Sequence, residues 1–122
     1  MTSRVQANHL MLKRVYVPPA ADDGTRVLVD RLWPRGVSKA RAALDSWNKA
    51  VAPSTELRKW FGHDPARWQA FCDKYREELK QNTEAVETLR ALALKEPVTL
   101  LFGARDEAHN EAVVLRDFLL GR

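Results

Sequence analysis

The alternation of apolar and polar positions first becomes organised at Leu10–Val17, LMLKRVYV, which predicts a β-strand rich in apolar and β-branched residues. Lys13 and Arg14 interrupt strict alternation and place this strand at a sheet edge. Pro18, Pro19, Asp22, Asp23 and Gly24 form a turn, and Thr25–Asp30 predicts a second strand able to pair with the first across it. Its apolar run Val27-Leu28-Val29 stops at Asp30 and Arg31, after which Trp33-Pro34-Arg35-Gly36 forces a loop. Ser38 is placed to cap a short helical piece, SKARAA. Leu44–Val51 reads as a strand with Trp47 and Val51 on one face, although the same pair is also spaced as on a helix.

The pattern sharpens from Pro53 onward. Ser54 caps a helix over TELRKWF that buries Leu57, Trp60 and Phe61 and is closed by Gly62. Asp64 and Pro65 start the next helix, whose stripe of Trp68, Phe71, Cys72, Tyr75 and Leu79 is the clearest amphipathic pattern in the chain. Asn82 and Thr83 predict a break, and Val86, Leu89 and Ala93 carry a further helix to Lys95. Beyond Glu96-Pro97, Val98–Phe102 is continuously apolar, as in a strand buried on both faces of a parallel sheet. A turn over Gly103–Asp106 precedes a closing helix from about Glu107 to Leu120. The prediction is a single compact α/β domain, residues 9–122, with a small, mostly parallel sheet flanked by helices and a loose polar tail at residues 1–8. The strands at 27–30 and 98–102 should be central and parallel. Their carboxyl ends then open on the same side.

Composition changes this picture little. A chain of 122 residues, 45% hydrophobic and 30% charged, has the size and make-up of one globular domain. A single cysteine excludes an internal disulfide, no run approaches the roughly 20 apolar residues of a membrane span, and the N-terminus lacks the apolar core of a signal peptide, so a cytoplasmic, non-membrane protein is expected. Charge adds more. The net charge of +4 is uneven, with +6 over residues 1–67 and −2 over residues 68–122, which favours anionic partners for the first half.

The chemistry expected at the shared strand ends comes from Asp30, Arg31 and Arg35 facing Arg105, Asp106, His109 and Asn110, with Trp33 in the adjoining loop. The three arginines offer planar donors suited to phosphate or carboxylate, and His109, on the first turn of the last helix, is the candidate general acid–base beside Asp30 and Asp106. The same side chains fit a structural ion-pair network in which Asp30 and Asp106 satisfy Arg31 and Arg105. Asp30, Asp106 and His109 could supply metal ligands, but no local ligand spacing supports that, and no metal or cofactor is expected. His63 most simply belongs to the helix start at Asp64, and Cys72 lies on a core stripe. No dinucleotide fingerprint, P-loop or nucleophile-elbow motif occurs, and no helix has the basic polar face of a base-reading element.

Three blocks, RVLVDRLWPRGVSK, VAPSTELRKWFGHDPARWQAFCDKY and VTLLFGARDEAHNEAVVL, together resemble the YeaO-like family of small bacterial proteins (domain of unknown function 488). The resemblance runs from about Lys13 to Leu120 and implies a compact α/β domain with no established activity. Where the wider family often carries a Cys-His-Arg triplet, this chain has Ala108-His109-Asn110, so only His109 carries over. The expected function is binding of a small anionic, phosphate-bearing ligand in the crevice, with hydrolysis or transfer as a conceivable accompaniment. The alternative is a nucleic-acid or regulatory-complex adaptor using Lys13, Arg14, Arg35, Lys39, Arg41, Arg58 and Lys59.

Overall fold

The computed structural model describes residues 4–122 as a single α/β layer system. Four strands, β1 (Leu10–Arg14), β2 (Thr25–Leu28), β3 (Ser46–Trp47) and β4 (Val98–Phe102), form one sheet in the order β1-β4-β2-β3. Every neighbouring pair is parallel. The helices are α1 (Lys39–Ala42), α2 (Thr55–Phe61), α3 (Trp68–Gln81), α4 (Thr83–Lys95) and α5 (Glu111–Leu119).

Alternation along the strands sorts the core into two faces. Leu10, Val27, Val29, Val98, Leu100 and Phe102 pack with the apolar stripes of α2 to α5. Leu28, Leu101 and Val15 point to the other face, where Val37, Ala42, Trp33 and Trp47 cover them. β4 is buried at all five positions because it has a strand on each side and apolar cover above and below. β1 takes the expected edge position.

Several local expectations need correction. β1 and β2 do not pair with each other; β4 inserts between them, because parallel strands cannot be joined by a short turn in register. The strand expected over Leu44–Val51 shrinks to two residues, since Lys49–Val51 coils into a 3-10 turn. The last helix starts at Glu111 rather than near Glu107, because Asn110 is its cap and accepts from the Val113 N–H at 3.2 Å. Of the N-terminal stretch expected to be a loose tail, residues 1–3 lie outside the described residues; Val5 is buried, and Arg116 donates to the Ala7 carbonyl at 3.0 Å. By contrast, Ser54 caps α2, Gly62 closes it in the left-handed region, and the break between α3 and α4 falls at Asn82 as anticipated.

The turn before β2 is held by a buried ionic knot. Asp23 and Arg26 are only 6% and 5% exposed, and Arg26 Nη1 donates to Asp23 Oδ2 at 2.5 Å. The same guanidinium reaches the Ala43 and Ala42 carbonyls at 3.0 and 2.7 Å, tying the end of α1 to β2. Lys13 of β1 donates to Asp23 at 3.0 Å, so a residue expected to be free surface charge is spent on the fold. Burial alone would raise the Asp23 carboxyl, but hydrogen bonds from Ala20 N–H, Lys13 and Arg26 hold it below its ordinary 3.8. The sign follows: this stabilisation is present above the unfolded-state value and is lost as pH falls through the lower folded value. Asp23→Ala, which leaves Arg26 buried without its acid, should cost about 3–5 kcal/mol in urea unfolding. A loss under about 1 kcal/mol would show the knot to be dispensable.

Candidate functional site

The loop after β2 is rigid by construction. Trp47 Nε1 donates to the Asp30 carbonyl at 2.7 Å, and Tyr16 Oη donates to the Arg35 carbonyl at 2.9 Å. Trp33 folds back to donate to the Val37 carbonyl at 2.7 Å and meets Trp47 edge-on at 5.3 Å. These anchors fix residues 30–37 beside the carboxyl end of β4.

At that end Asp30 makes the central contact. Its Oδ2 accepts from the Gly103 N–H at 2.8 Å, joining the residues that follow β2 to those that follow β4. A Cβ on residue 103 would lie 3.0 Å from the same oxygen, so glycine lets the carboxyl approach the backbone closely. The Asp30 side chain also neighbours the carboxyl of Glu111, the first residue of α5. Burial, then the adjoining Asp30 carboxyl and its negative charge, push the Glu111 carboxyl well above its ordinary 4.5.

These groups line a pocket of about 350 Å³. Its walls include the aromatic rings of Tyr16, Trp33, Phe61 and Phe71, with Phe61 and Phe71 stacked at 4.4 Å. Arg35, Arg58, Lys59 and His63 stand at the exposed rim. Arg58 and Lys59 come from the last turn of α2, which Glu78 of α3 positions by accepting from Ser54 N and Ser54 Oγ at 2.8 and 2.6 Å. The α2–α3 corner turns through Gly62 and His63, both at positive φ (53° and 56°), which brings the rim over the pocket.

Of the residues expected to meet here, Asp30, Arg31, Trp33, Arg35 and Asn110 line the pocket. Arg105, Asp106 and His109 are not on its lining. His109 precedes α5 instead of lying on its first turn; its Nδ1 bonds Asp106 Oδ2 at 2.9 Å and its ring stands edge-on to Trp68 at 5.0 Å. The Ala108 N–H and the His109 ring hold Asp106 below the usual carboxylate range. The anticipated ion-pair network does not form: Arg31 donates to the Pro53 and Ala52 carbonyls at 2.9 and 3.4 Å, and neither it nor Arg105 pairs with an acid among the described residues. Among the described residues no cluster of three metal-ligating side chains occurs. Among the described residues no helix is long and apolar enough to cross a membrane.

Glu111 and His63 are lining residues that the sequence reading assigned to no site, and Arg58 and Lys59 are ones it assigned only to a nucleic-acid surface. Glu111 has a signal in retrospect, since an acid directly after an Asn cap sits where the helix start meets the strand ends. A raised carboxyl stabilises the fold below its unfolded value, and that contribution is lost as pH rises towards the folded value. Glu111→Gln keeps the side-chain shape without the ionisable proton. It should leave stability at neutral pH equal or higher and flatten the decline in melting temperature as pH rises above the ordinary 4.5. An unchanged pH slope would mean that Glu111 is ionised in the folded protein.

The sequence model of the family described as "Inactive DUF488-N3 subclade" matches residues 9–122. The uncharacterized protein YeaO of Escherichia coli (strain K12) is 45% identical over 111 residues, covering 91% of this chain and 96% of its own length. The uncharacterized protein Rv3073c of Mycobacterium tuberculosis (strain H37Rv) is 42% identical over 118 residues, covering 97% of this chain and 99% of its own. No solved structure matches the chain significantly.

Proposed function

The chain belongs to the DUF488 family, in the subclade described as inactive, and we propose that it is a binding domain for a small anionic, phosphate-bearing ligand held in the crevice at the carboxyl ends of β2 and β4. The observation that carries this reading is the rim: Arg35, Arg58 and Lys59 converge on one 350 Å³ pocket, and none pairs with an acid among the described residues. Cations that no protein acid neutralises, placed beside a concave surface, favour a ligand that brings its own negative charge. A pocket of this volume falls at the lower end of the roughly 300–1,000 Å³ used for small molecules. The ligand is therefore compact.

Binding without turnover agrees with the family description. It also agrees with Ala108 standing where the wider family often carries a cysteine, and with the His109 ring packed on Trp68 away from the lining. We assign the site no bond-breaking step. Lys13 and Arg14, which a nucleic-acid surface would use, are engaged with Asp23 and with the Ala104 carbonyl.

Titration with inorganic phosphate at low ionic strength, followed by backbone NMR, should shift resonances within residues 31–36 and 58–63. The double variant Arg35→Ala/Lys59→Ala should weaken that binding by about tenfold with little change in melting temperature, because both side chains are exposed. Equal affinity in the double variant would reject the reading. So would steeply salt-dependent binding of DNA or RNA through Lys39 and Arg41 with no response at the pocket.

A further inference from the structure

The rim and the interior of this pocket carry opposite chemistry, which narrows the ligand beyond "a phosphate compound". This step rests on the anion reading above. Arg35, Arg58 and Lys59 are exposed at the mouth, whereas Asp30 and Glu111 lie half-buried at the strand ends, and aromatic side chains share the lining. Asp30 and Glu111 are neighbours, and Asp30 is fixed by the Gly103 N–H. A ligand that is anionic throughout would set negative charge against this acid pair. A bare phosphate would fill the rim and leave the pair and the aromatic walls unused.

The geometry points to a nucleoside monophosphate, with its phosphate at Arg35, Arg58 and Lys59, its base between the aromatic walls, and the base edge at Asp30 and Glu111. Three features of the lining support this. A carboxyl pair in which Glu111 is pushed towards its protonated form offers a donor beside several acceptors, which matches the adjacent N–H and ring-nitrogen or carbonyl groups along a nucleobase edge. The half-buried rings of Trp33 and Tyr16 give a flat heterocycle surfaces on which to rest. The unpaired cations at the mouth then meet the phosphate, the end of the ligand that stays nearest water. The pocket, and not the acid pair alone, defines the site.

The experiment compares AMP, GMP, CMP and UMP with ribose 5-phosphate, by calorimetric titration of the full chain and of Glu111→Leu and Glu111→Gln. At least one nucleotide should bind about tenfold or more tightly than ribose 5-phosphate. Glu111→Leu should reduce that nucleotide to the level of ribose 5-phosphate while leaving ribose 5-phosphate itself unchanged. Glu111→Gln, which keeps a donor and an acceptor, should retain most of the preference. If all four nucleotides bind within about twofold of ribose 5-phosphate, and that binding still falls in Arg35→Ala/Lys59→Ala, the nucleotide assignment is overturned and the anion reading stands. If neither ribose 5-phosphate nor any nucleotide binds, both are overturned. Should Glu111→Leu not fold, the wild-type comparison decides alone.

Discussion

A single carboxyl group ties the functional end of this molecule together. Asp30 accepts from the Gly103 N–H at 2.8 Å and neighbours the Glu111 carboxyl, so it links the segments that follow β2 and β4 to the start of α5. Each contact depends on its neighbours. Glycine at 103 gives the carboxyl its close approach, and the Asn110 cap aims the first residue of α5 at the strand ends. Trp47 fixes the Asp30 backbone from below by donating to its carbonyl. The parallel pairing of β2 with β4 places these groups on the same side.

Around this contact the chain separates charges by role. Asp23, Lys13 and Arg26 neutralise one another in a buried knot, and Arg31 is consumed by two backbone carbonyls. Arg35, Arg58 and Lys59 are left unpaired among the described residues and face the pocket. Arg35 lies on the loop after β2, and Arg58 and Lys59 lie on the end of α2. A preformed rim of this kind costs little reorganisation when an anion arrives, because Tyr16 already holds the Arg35 backbone in place.

Much of this was legible in the sequence where the signal was local. Ser54, Gly62, the Asn82 break and the apolar run of β4 each announce themselves through capping or periodicity, and the structure places them accordingly. Asp30, Arg31, Trp33 and Arg35 were found because an apolar strand ends abruptly in charge beside a proline loop. Glu111 was not, because the helix start was placed four residues early. That error made Glu111 an ordinary surface acid and His109 a first-turn residue. Asp106 and Asn110 are both good caps, and only the structure shows that Asn110 takes the role while Asp106 closes a turn over Ala108 and His109. Arg58, Lys59 and His63 were invisible as pocket residues for a different reason. Their approach depends on the α2–α3 corner and on the long-range clamp of Ser54 by Glu78.

The family places the chain in a subclade described as inactive, and its pocket combines aromatic side chains, an acid pair and a cationic rim. The interaction at the centre of this end of the sheet is the approach of the Glu111 carboxyl to that of Asp30, which, with burial, pushes Glu111 towards its protonated form. Carbon-13 NMR of the Glu111 carboxyl, followed across a pH titration of the folded protein, reads it directly. The Glu111 resonance should stay in its protonated position well above pH 4.5. A simple titration of Glu111 near 4.5 would contradict the pairing.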